Sequence, residues 1–588
     1  MCGIAGVWHK NKEVNDKDIA YFKKALFHRG PDAQLHQLFD ENKGAVVHTR
    51  LSIIDLTNEA NQPLVSDCGR YSMVFNGEIF NYLELKKELE VVGQTFRTNS
   101  DTEVLLKAYI TWGQDCLHKL NGMWAFCIWD AKERNMFLSR DRYGIKPLYF
   151  IDSHNYFAFA SESLAFNEVS FYDKRLNDTN LQIALKDADK LEGLGLTIYE
   201  QMYQLMPGHV LKYNHCTGIV VKRWYNLFEK IKPYKGSYGN AIADFKALFF
   251  DACKLRLRSD VPTATALSGG VDSSAVYCTI QEILKEQGKV DEHNSLRQAY
   301  TASFKGMPQD ESDIAAATVK EKGGVHFLSS DNLENITEQL ERSVLALDTI
   351  STGSILSLQN VYGAMKKGGI TVSMDGHGAD ELMYGYRHQI SELFFSSLQK
   401  AHVKSTPQLL GKVLGGMKAP NNENHYQTIV ETKFNGVKNW VRNHFKSEKV
   451  LTDQIQLKYG ERYQFNHLSY LEKDLYQDFL EYTLPNIFRN FDRASMTHAV
   501  EIRMPFMDYR IVEFLFSLPF HYKITEQGKT KQILRDAMYG IVPKAILKRT
   551  VKIGVNTPVN SLSKVLQNSQ SWEEFCLLQI KNNSTHDC

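Results

Sequence analysis

The sequence predicts a chain of at least two domains, the second of which is an α/β domain built on a parallel sheet. Its 588 residues exceed what one hydrophobic core normally supports. After residue 240, apolar strand-like segments alternate with segments of helical periodicity, a pattern typical of doubly wound parallel sheets. The preceding part instead contains strand-like runs at 71–75, 122–130 and 136–140, so we expect a separate, strand-rich domain there.

Composition and charge narrow the class of protein. The hydrophobic fraction of 43% and the net charge of +1 are ordinary globular values, which favour neither a nucleic-acid nor a membrane partner. The nine cysteines include no Cys-x-x-Cys pair, and such scattered use is typical of a reducing cytosol. We recognise no membrane-spanning run and no signal peptide. We therefore expect a cytoplasmic protein.

The chain begins with an apolar, strand-like run at 2–8, although chain termini are usually polar and frayed. Removal of Met1 would give Cys2 a free α-amino group, whose reference pKa of about 7.7–8.0 allows it to accept the thiol proton. Cys2 would then be a nucleophile that carries its own base. The alternative is a small buried cysteine behind an unprocessed methionine, and these two residues alone favour that alternative.

Four further motifs change this interpretation: Arg29–Asp32, His48–Asp55, Asn76–Asn81 and Ser100–Glu103. In this order, and together with Cys2–Ile4, they resemble the glutaminase domain of class II glutamine amidotransferases. The resemblance implies an α+β N-terminal-nucleophile hydrolase, an αββα sandwich, with Cys2 as the catalytic residue and glutamine as a substrate.

The resemblance also implies roles for residues around Cys2. Asn76 and Gly77 follow the predicted strand at 71–75, so their amide and backbone N–H can project as a catalytic oxyanion hole. An ordinary tight turn is the alternative for this pair. Arg50 would hold the α-carboxylate of glutamine, because its planar guanidinium suits that group. The implied glutamine-binding residues are Arg50, Leu51, Ser52, Ile53, Ile54, Asn76, Gly77, Glu78 and Asp101.

Within that set, Glu78 and Asp101 would face the α-ammonium group of glutamine. Arg50 and Asp101 could instead be solvated surface charges. Each such alternative is plausible singly, but the five motifs together argue against it.

The second domain contains a Ser/Gly-rich turn at 267–274, here called the phosphate loop. A strand-like run precedes it and a helical pattern follows it, so glycines and unpaired helix N–H groups can cradle a phosphate. It is no Walker loop, because no Gly-x-x-x-x-Gly-Lys-[Ser/Thr] sequence occurs. It resembles the pyrophosphate loop of ATP-pyrophosphatases, although a simple turn before a helix would look similar.

A second loop, at 375–382 and here called the Asp375 loop, also follows a predicted strand. Both loops would lie beyond the carboxyl ends of parallel strands, where ligands bind in such sheets. With Asp310-Glu311, the segment 484–508 and Arg549, nearly the whole chain resembles the glutamine-hydrolysing asparagine synthetase family. The Pro207-Gly208 turn and the polar run at 230–240 indicate where the first domain ends. We therefore expect an amidotransferase domain (1–210), a linker (211–235) and an α/β ATP-pyrophosphatase domain with extra helices (236–588).

That resemblance implies the cofactors ATP and Mg²⁺. Asp272 and Asp380 would hold the metal, since Mg²⁺ prefers oxygen ligands. Lys531, which we expect to share a helix face with Arg535, would meet the departing pyrophosphate. The implied ATP-binding residues are Leu267, Ser268, Gly269, Gly270, Asp272, Ser273, Ser274, Ala302, Asp375, Gly376 and Lys531.

The implied reaction releases ammonia at Cys2 and passes it to a carboxylate that ATP has activated as an acyl-adenylate. The resemblance favours aspartate as this small carboxylate substrate, and a homodimer is one assembly that we consider. One departure concerns the acceptor: His377 stands where the family usually carries glutamate, and Asp375 replaces the usual serine. We expect His377 to be catalytic, because an imidazole can act as a base.

The sequence leaves three alternative functions to consider. The same chemistry could act on a sugar uronic acid of a surface-polysaccharide pathway. A tRNA thiolase would require paired cysteines and a basic face, which the sequence lacks. A non-enzymatic scaffold would not explain why Cys2, Asn76 and Asp272 are all present.

Overall fold

The computed structural model describes residues 2–288, 294–307, 310–330, 335–386, 389–390, 393, 457–550, 569 and 571–585. Within these ranges, no helix is long and apolar enough to cross a membrane. The chain folds into two parts, which we call the first half (residues 2–230) and the second half (residues 238–585).

The first half contains two antiparallel sheets, with strand orders β10-β8-β9-β1-β3-β2 and β12-β11-β7-β6-β5-β4. The strands are β1 (Gly3–His9), β2 (Ala33–Phe39), β3 (Gly44–Arg50), β4 (Leu64–Val65), β5 (Tyr71–Ile79), β6 (Gly122–Asp130), β7 (Asn135–Arg140), β8 (Tyr149–Asp152), β9 (Tyr156–Ala160), β10 (Met202–Gln204), β11 (His209–Asn214) and β12 (Gly218–Arg223). The helices are α1 (Asp16–Ala25), α2 (Tyr82–Val91), α3 (Asp101–Trp112), α4 (Cys116–Lys119), α5 (Asp178–Lys186) and α6 (Leu227–Lys230).

Alternating side chains stack these sheets into a sandwich. Trp8 of β1 belongs to the apolar cluster between the sheets, where it joins Val74 and Cys127 from the second sheet. The preceding residue, Val7, lies on the opposite face of β1 and packs with Phe22 of α1. Helices α2 and α3 cover the outer face of the second sheet. The layers are therefore helix, sheet, sheet and helix, as the αββα prediction required.

The structure corrects the linker predicted at 211–235. Strand β11 extends to Asn214, and Gly218–Arg223 forms β12, which pairs with β11 along its whole length. The Pro207-Gly208 turn that suggested the end of the domain instead connects β10 to β11, with Gly208 at φ +67°. A turn signal marks a chain reversal, but it does not tell whether another strand follows.

The second half is built on a parallel sheet with the order β15-β14-β13-β16-β17. Its strands are β13 (Thr263–Ala266), β14 (Gln298–Ser303), β15 (Val325–Ser330), β16 (Val372–Met374) and β17 (Glu501–Arg503). Its helices are α7 (Tyr238–Arg256), α8 (Val271–Glu286), α9 (Ser312–Glu321), α10 (Ile336–Leu347), α11 (Leu356–Lys367), α12 (Ala379–Leu382), α13 (Tyr470–Leu480), α14 (Thr483–Met496), α15 (Tyr509–Ser517), α16 (Phe520–Lys523), α17 (Gln532–Ala537), α18 (Lys544–Lys548) and α19 (Trp572–Thr585).

The strand order positions the synthetase site. From β13 the chain continues to β14 and β15 on one side, while β16 pairs with β13 on the other side. The order therefore reverses between β13 and β16, which is where ligands bind in open parallel sheets. The phosphate loop follows β13 and the Asp375 loop follows β16, so both loops end at this crevice.

A buried charge cluster joins the two halves. It consists of Arg29 and Glu162 from the first half and of Asp492 and Arg493 from α14. Arg29 binds Asp492 through two nitrogens, at 2.8 and 3.2 Å, and also contacts Glu162. Arg493 lies 2.5 Å from Glu162. Although burial alone would raise the pKa of Glu162, the cations around it, including His28, hold that pKa well below its usual range.

We expect Asp492→Ala to destabilise the protein by about 3 kcal/mol, because removing one partner of a buried pair leaves the other charge uncompensated. Asp173→Ala provides the matched control, since the Asp173–Arg175 pair is exposed and should contribute about 1 kcal/mol or less. Denaturant midpoints measured by circular dichroism compare the two variants. Equal midpoints would contradict a structural role for the cluster.

Candidate active sites

Cys2 lies at the start of β1 and is almost fully buried. Its backbone N–H, which becomes the α-amine once Met1 is removed, donates to Asn76 Oδ1 at 3.1 Å. Its thiol lies 3.9 Å from the carbonyl oxygen of Leu51, and Arg29 donates to the carbonyl oxygen of Cys2 at 3.1 Å. Burial raises the pKa of the thiol, so a reaction at Cys2 needs a nearby proton acceptor.

Asn76 is the residue best placed to support chemistry at Cys2. Its side chain is fully buried, its Oδ1 accepts the Cys2 N–H, and its Nδ2 has no hydrogen-bond partner among the described residues. A buried amide donor without a partner is costly unless a ligand uses it. Its place beside a thiol fits a donor that waits for a developing oxyanion.

The structure changes the local prediction for Asn76 and Gly77. They lie within β5 and pair with β6, rather than following the strand in a turn. Gly77 permits a close approach of the two strands, because a Cβ there would lie 2.1 Å from the carbonyl oxygen of Met123. The strand positions Asn76 rigidly, which a loop would not do.

Arg50 is buried at the end of β3, so it is not a solvated surface charge. Its guanidinium donates to the carbonyl oxygens of Thr57 and Asp55 and to Asn61 Oδ1. The loop that follows turns toward the second half: Leu51, Ile53 and Ile54 pack with Val372, Met496 and Ala499, and the Ser52 N–H donates to Asp32. The predicted glutamine-binding loop therefore also forms part of the domain interface.

Glu78 and Asp101 lie together with two residues that sequence reasoning assigned to the other half. Asp101 accepts from the Ile79 N–H at 2.9 Å, and burial raises its pKa to about 6. Glu78 lies 3.4 Å from Arg503, which also binds Glu501 at 2.6 Å. Burial first, and then the carboxylates of Glu501 and Asp101, raise the pKa of Glu78 well above its usual value.

Glu78 and Glu501 thus share the Arg503 guanidinium, with Asp101 nearby, and an ammonium group bound there would favour the charged forms of Glu78 and Asp101. Arg503 and Glu501 could not be assigned to this site from the sequence. They lie on β17, more than four hundred residues along the chain from Glu78, and reach the first half only through the packing of the two domains.

The synthetase site is a cavity of about 430 Å³ between the phosphate loop and the Asp375 loop. Gly376 lets the two loops meet, because a Cβ there would lie 2.6 Å from the backbone nitrogen of Ser273. Predicted residues that line the cavity are Leu267, Ser268, Gly270, Asp272, Ser273, Ala302, Asp375, Gly376, His377, Asp380 and Lys531. Gly269 and Ser274 are not among the lining residues: Ser274 is fully buried, and Gly269 turns the loop at φ +81°.

Lys531 lies between the two carboxylates predicted to hold Mg²⁺, 2.5 Å from Asp272 and 2.5 Å from Asp380. Burial opposes its charge, but these two carboxylates raise its pKa above the ordinary value. One cation therefore already bridges Asp272 and Asp380, so the pair fits a hard metal ion with phosphate oxygens as further ligands. The described residues contain no cluster of three or more His, Cys, Asp or Glu side chains that could bind a metal by itself.

We expected Lys531 and Arg535 to share a helix face, but they do not. Lys531 has a left-handed backbone, with φ of +57°, and it precedes α17. Both side chains nevertheless line the cavity. The spacing of four residues was therefore a misleading signal, because the helix begins one residue after Lys531.

His377 is held by Asp375. Its Nε2 lies 3.2 Å from Asp375 Oδ2, and its ring centre lies 3.7 Å from that of Phe491. Asp375 is buried and also accepts from Tyr362 at 2.6 Å and from Ser373. These donors fix the carboxylate, which in turn orients the imidazole toward the cavity.

Both halves of the chain match models of known protein families. The family model described as a glutamine amidotransferase domain matches residues 1–225. The model described as asparagine synthase matches residues 244–575, which is more than half of the chain.

Several relatives match over nearly the whole chain. Asparagine synthetase [glutamine-hydrolyzing] 1 of Bacillus subtilis is 29% identical over 580 residues, covering 95% of this chain and 87% of the relative. Asparagine synthetase [glutamine-hydrolyzing] 3 of the same organism is 28% identical, covering 93% and 86%. Amidase chry2 of Gibberella zeae is 27% identical, covering 96% and 88%. The chain therefore belongs to the asparagine synthase family and is an enzyme in which a glutamine amidotransferase domain is joined to a synthetase domain.

Proposed function

We propose that this enzyme transfers the amide nitrogen of glutamine to L-aspartate, consuming ATP and releasing L-asparagine, L-glutamate, AMP and diphosphate. The observation that carries the proposal is the pair of carboxylates, Asp272 and Asp380, bridged by one cation at the reversal point of the parallel sheet. Such a pair suits a metal-bound nucleotide. The cavity beside it holds an oriented base, His377.

At the first site, the thiol of Cys2 passes its proton to the α-amine and attacks the side-chain carbonyl of glutamine. The carbonyl oxygen becomes negative, and Asn76 Nδ2 is the free buried donor beside it. The α-ammonium group of Cys2 returns the thiol proton to the departing nitrogen, so that collapse of the intermediate expels ammonia and leaves a thioester, which water hydrolyses to glutamate and the free thiol. The same Asn76 side chain orients the Cys2 amine through its Oδ1.

At the second site, the aspartate side-chain carboxylate attacks the α-phosphorus of ATP and diphosphate leaves. Asp272 and Asp380 would hold Mg²⁺, which supplies positive charge to the phosphates. Lys531, which contacts Asp272, would meet the diphosphate, and Arg549 lies against the phosphate loop, 3.5 Å from the Gly269 carbonyl oxygen.

Ammonia then attacks the acyl-adenylate and AMP leaves. The attacking nitrogen loses a proton, and His377 is the imidazole that lines the cavity to receive it. Asp375 keeps the ring in place and stabilises the imidazolium that forms. His377 and Asp375 stand where the family usually carries glutamate and serine. Because of this difference, a sugar uronic acid is the alternative acceptor. AMP formation measured with aspartate and with uronic acids separates the two candidates.

Reciprocal variants test the division of labour. Cys2→Ala should abolish synthesis from glutamine but leave synthesis from ammonium salt, because the ATP site is separate. Asp272→Asn should stop diphosphate release while glutaminase turnover persists. Diphosphate and glutamate are assayed in parallel, and each variant is the control for the other. Loss of both activities in either variant would contradict two independent sites.

Asn76→Ala should lower glutaminase kcat about 10²–10³-fold, the usual effect of losing one oxyanion donor. Ammonium-dependent synthesis should not change. Asn155→Ala, on the exposed turn between β8 and β9, is the matched control and should retain full activity. A normal glutaminase rate in Asn76→Ala would show that Asn76 Nδ2 does not stabilise the oxyanion.

His377→Glu should reduce ammonium-dependent asparagine formation at least about tenfold, because the new carboxylate would lie beside that of Asp375 and like charges raise each other's pKa. The double variant with Asp375→Ser restores the residues that the family usually carries and should recover activity. AMP release with aspartate is the measurement. An unchanged rate in the single variant would exclude His377 from the acceptor site.

A further inference from the structure

One segment of the first half, residues 187–194, forms part of the wall of the synthetase cavity. Asn486 of α14 donates from Nδ2 to the carbonyl oxygen of Asp189 at 3.1 Å. Glu192 and Arg489, both buried, pair at 3.0 Å. These contacts fix the segment against the helix that carries the cavity wall.

Close backbone packing also holds residues 187–194 against the second half. A Cβ at Gly193 would lie 2.2 Å from the carbonyl oxygen of Glu481, so the segment passes directly over the second half. The ammonium group of Lys190 lies 3.4 Å from the ring centre of Tyr482. The position of Asp189 is therefore set by the second half, although Asp189 belongs to the first.

The side chain of Asp189 lines the cavity and makes no hydrogen bond or ion pair within the described part of the chain. Arg489 and Lys190 act on it electrostatically, but the Arg489 guanidinium donates to Glu192 and to Asn490, and the Lys190 ammonium lies over the Tyr482 ring. Burial raises the pKa of Asp189, so its charge is incompletely compensated. A carboxylate in this state favours a cationic ligand.

A second acceptor lies next to it. Asn486 Oδ1 is buried and has no donor among the described residues. The orientation of this amide is fixed, because its Nδ2 donates to the carbonyl oxygens of Asp189 and Tyr482. Asn486 also lines the cavity. A buried oxygen without a donor, beside an unpaired carboxylate, indicates a ligand with several N–H donors and a positive charge.

We propose that Asp189 and Asn486 bind the ammonium group of the acceptor, so that the amidotransferase half selects a carboxylate that carries an amine. The inference rests on the proposed function, because it concerns the acceptor of that reaction. An α-ammonium group offers three donors and one positive charge. A uronic acid offers hydroxyl donors but no cation, and would leave Asp189 uncompensated.

The test uses the full-length enzyme with ammonium salt as the nitrogen source and measures AMP formation at saturating ATP. Aspartate is compared with succinate, which is the same dicarboxylate without the amine. Asp189→Asn should raise the KM for aspartate about 10- to 100-fold, the usual effect of losing a hydrogen bond to a charged group. It should leave turnover of succinate, the KM for ATP and the glutaminase rate unchanged.

Asp187→Asn is the matched control. Asp187 lies in the same segment, is exposed, and accepts the Asp189 N–H at 3.2 Å, which an asparagine oxygen can also do. It should leave the ratio of aspartate to succinate turnover unchanged. If Asp189 had only a structural role, Asp189→Asn would lower the turnover of aspartate and of succinate by the same factor, and this ratio would not change.

The outcomes separate this inference from the proposed function. Equal losses for aspartate and succinate, or a raised KM for ATP alone, would overturn the role of Asp189. If the wild-type enzyme rejects aspartate but amidates another amine-bearing carboxylate, the proposed acceptor fails, and a selective loss in Asp189→Asn with that compound still supports the inference. A wild-type acceptor without an amine would overturn the inference itself.

Discussion

The buried charge cluster of Arg29, Glu162, Asp492 and Arg493 is the interaction on which the arrangement of both sites depends. Two guanidinium groups and two carboxylates leave water together, which is tolerated only if their geometry is good and their charges balance. Arg29 also donates to the carbonyl oxygen of Cys2. The position of the nucleophile is thereby connected through one side chain to a helix of the second half.

That helix, α14, presents different faces to the two sites. Thr483, Asn486, Ile487 and Asn490 recur at helical spacing and line the synthetase cavity. On another face, Arg489 and Arg493 bind the carboxylates of Glu192 and Glu162, and Asp492 binds the Arg29 guanidinium. A rigid helix held by charges on one face therefore fixes the cavity wall on the other. The ion pairs with Glu192 and Glu162 explain why Arg489 and Arg493 are buried.

Local sequence patterns predicted much of this structure. The alternation of strands and helices predicted after residue 240 agrees with the observed parallel sheet, in which, for example, α9 (Ser312–Glu321) separates β14 from β15. Strand β17 was missed, because a three-residue run with charged ends has no periodicity to detect. The placement of Asn76 was only partly correct, since a turn dipeptide can also sit where two strands approach closely.

Contacts that depend on domain packing could not be predicted. Nothing in the sequence places Arg503 beside Glu78, or Asp189 beside Asn486, because each pair joins segments that only the tertiary fold brings together. Short helical signals were also unreliable: Lys531 and Arg535 have helical spacing, yet Lys531 lies outside the helix. Motifs thus predicted most of the residues that the fold brings together at each site, while their partners required the structure.

The passage of residues 187–194 over α14 limits how modular this enzyme can be. A chimera that combined this second half with the amidotransferase half of a relative would receive a foreign piece of cavity wall. Its nitrogen donor chemistry could remain intact while its choice of acceptor changed. On the role proposed for Asp189, substrate preference within such a family can shift through substitutions in the half that does not carry the phosphate loop.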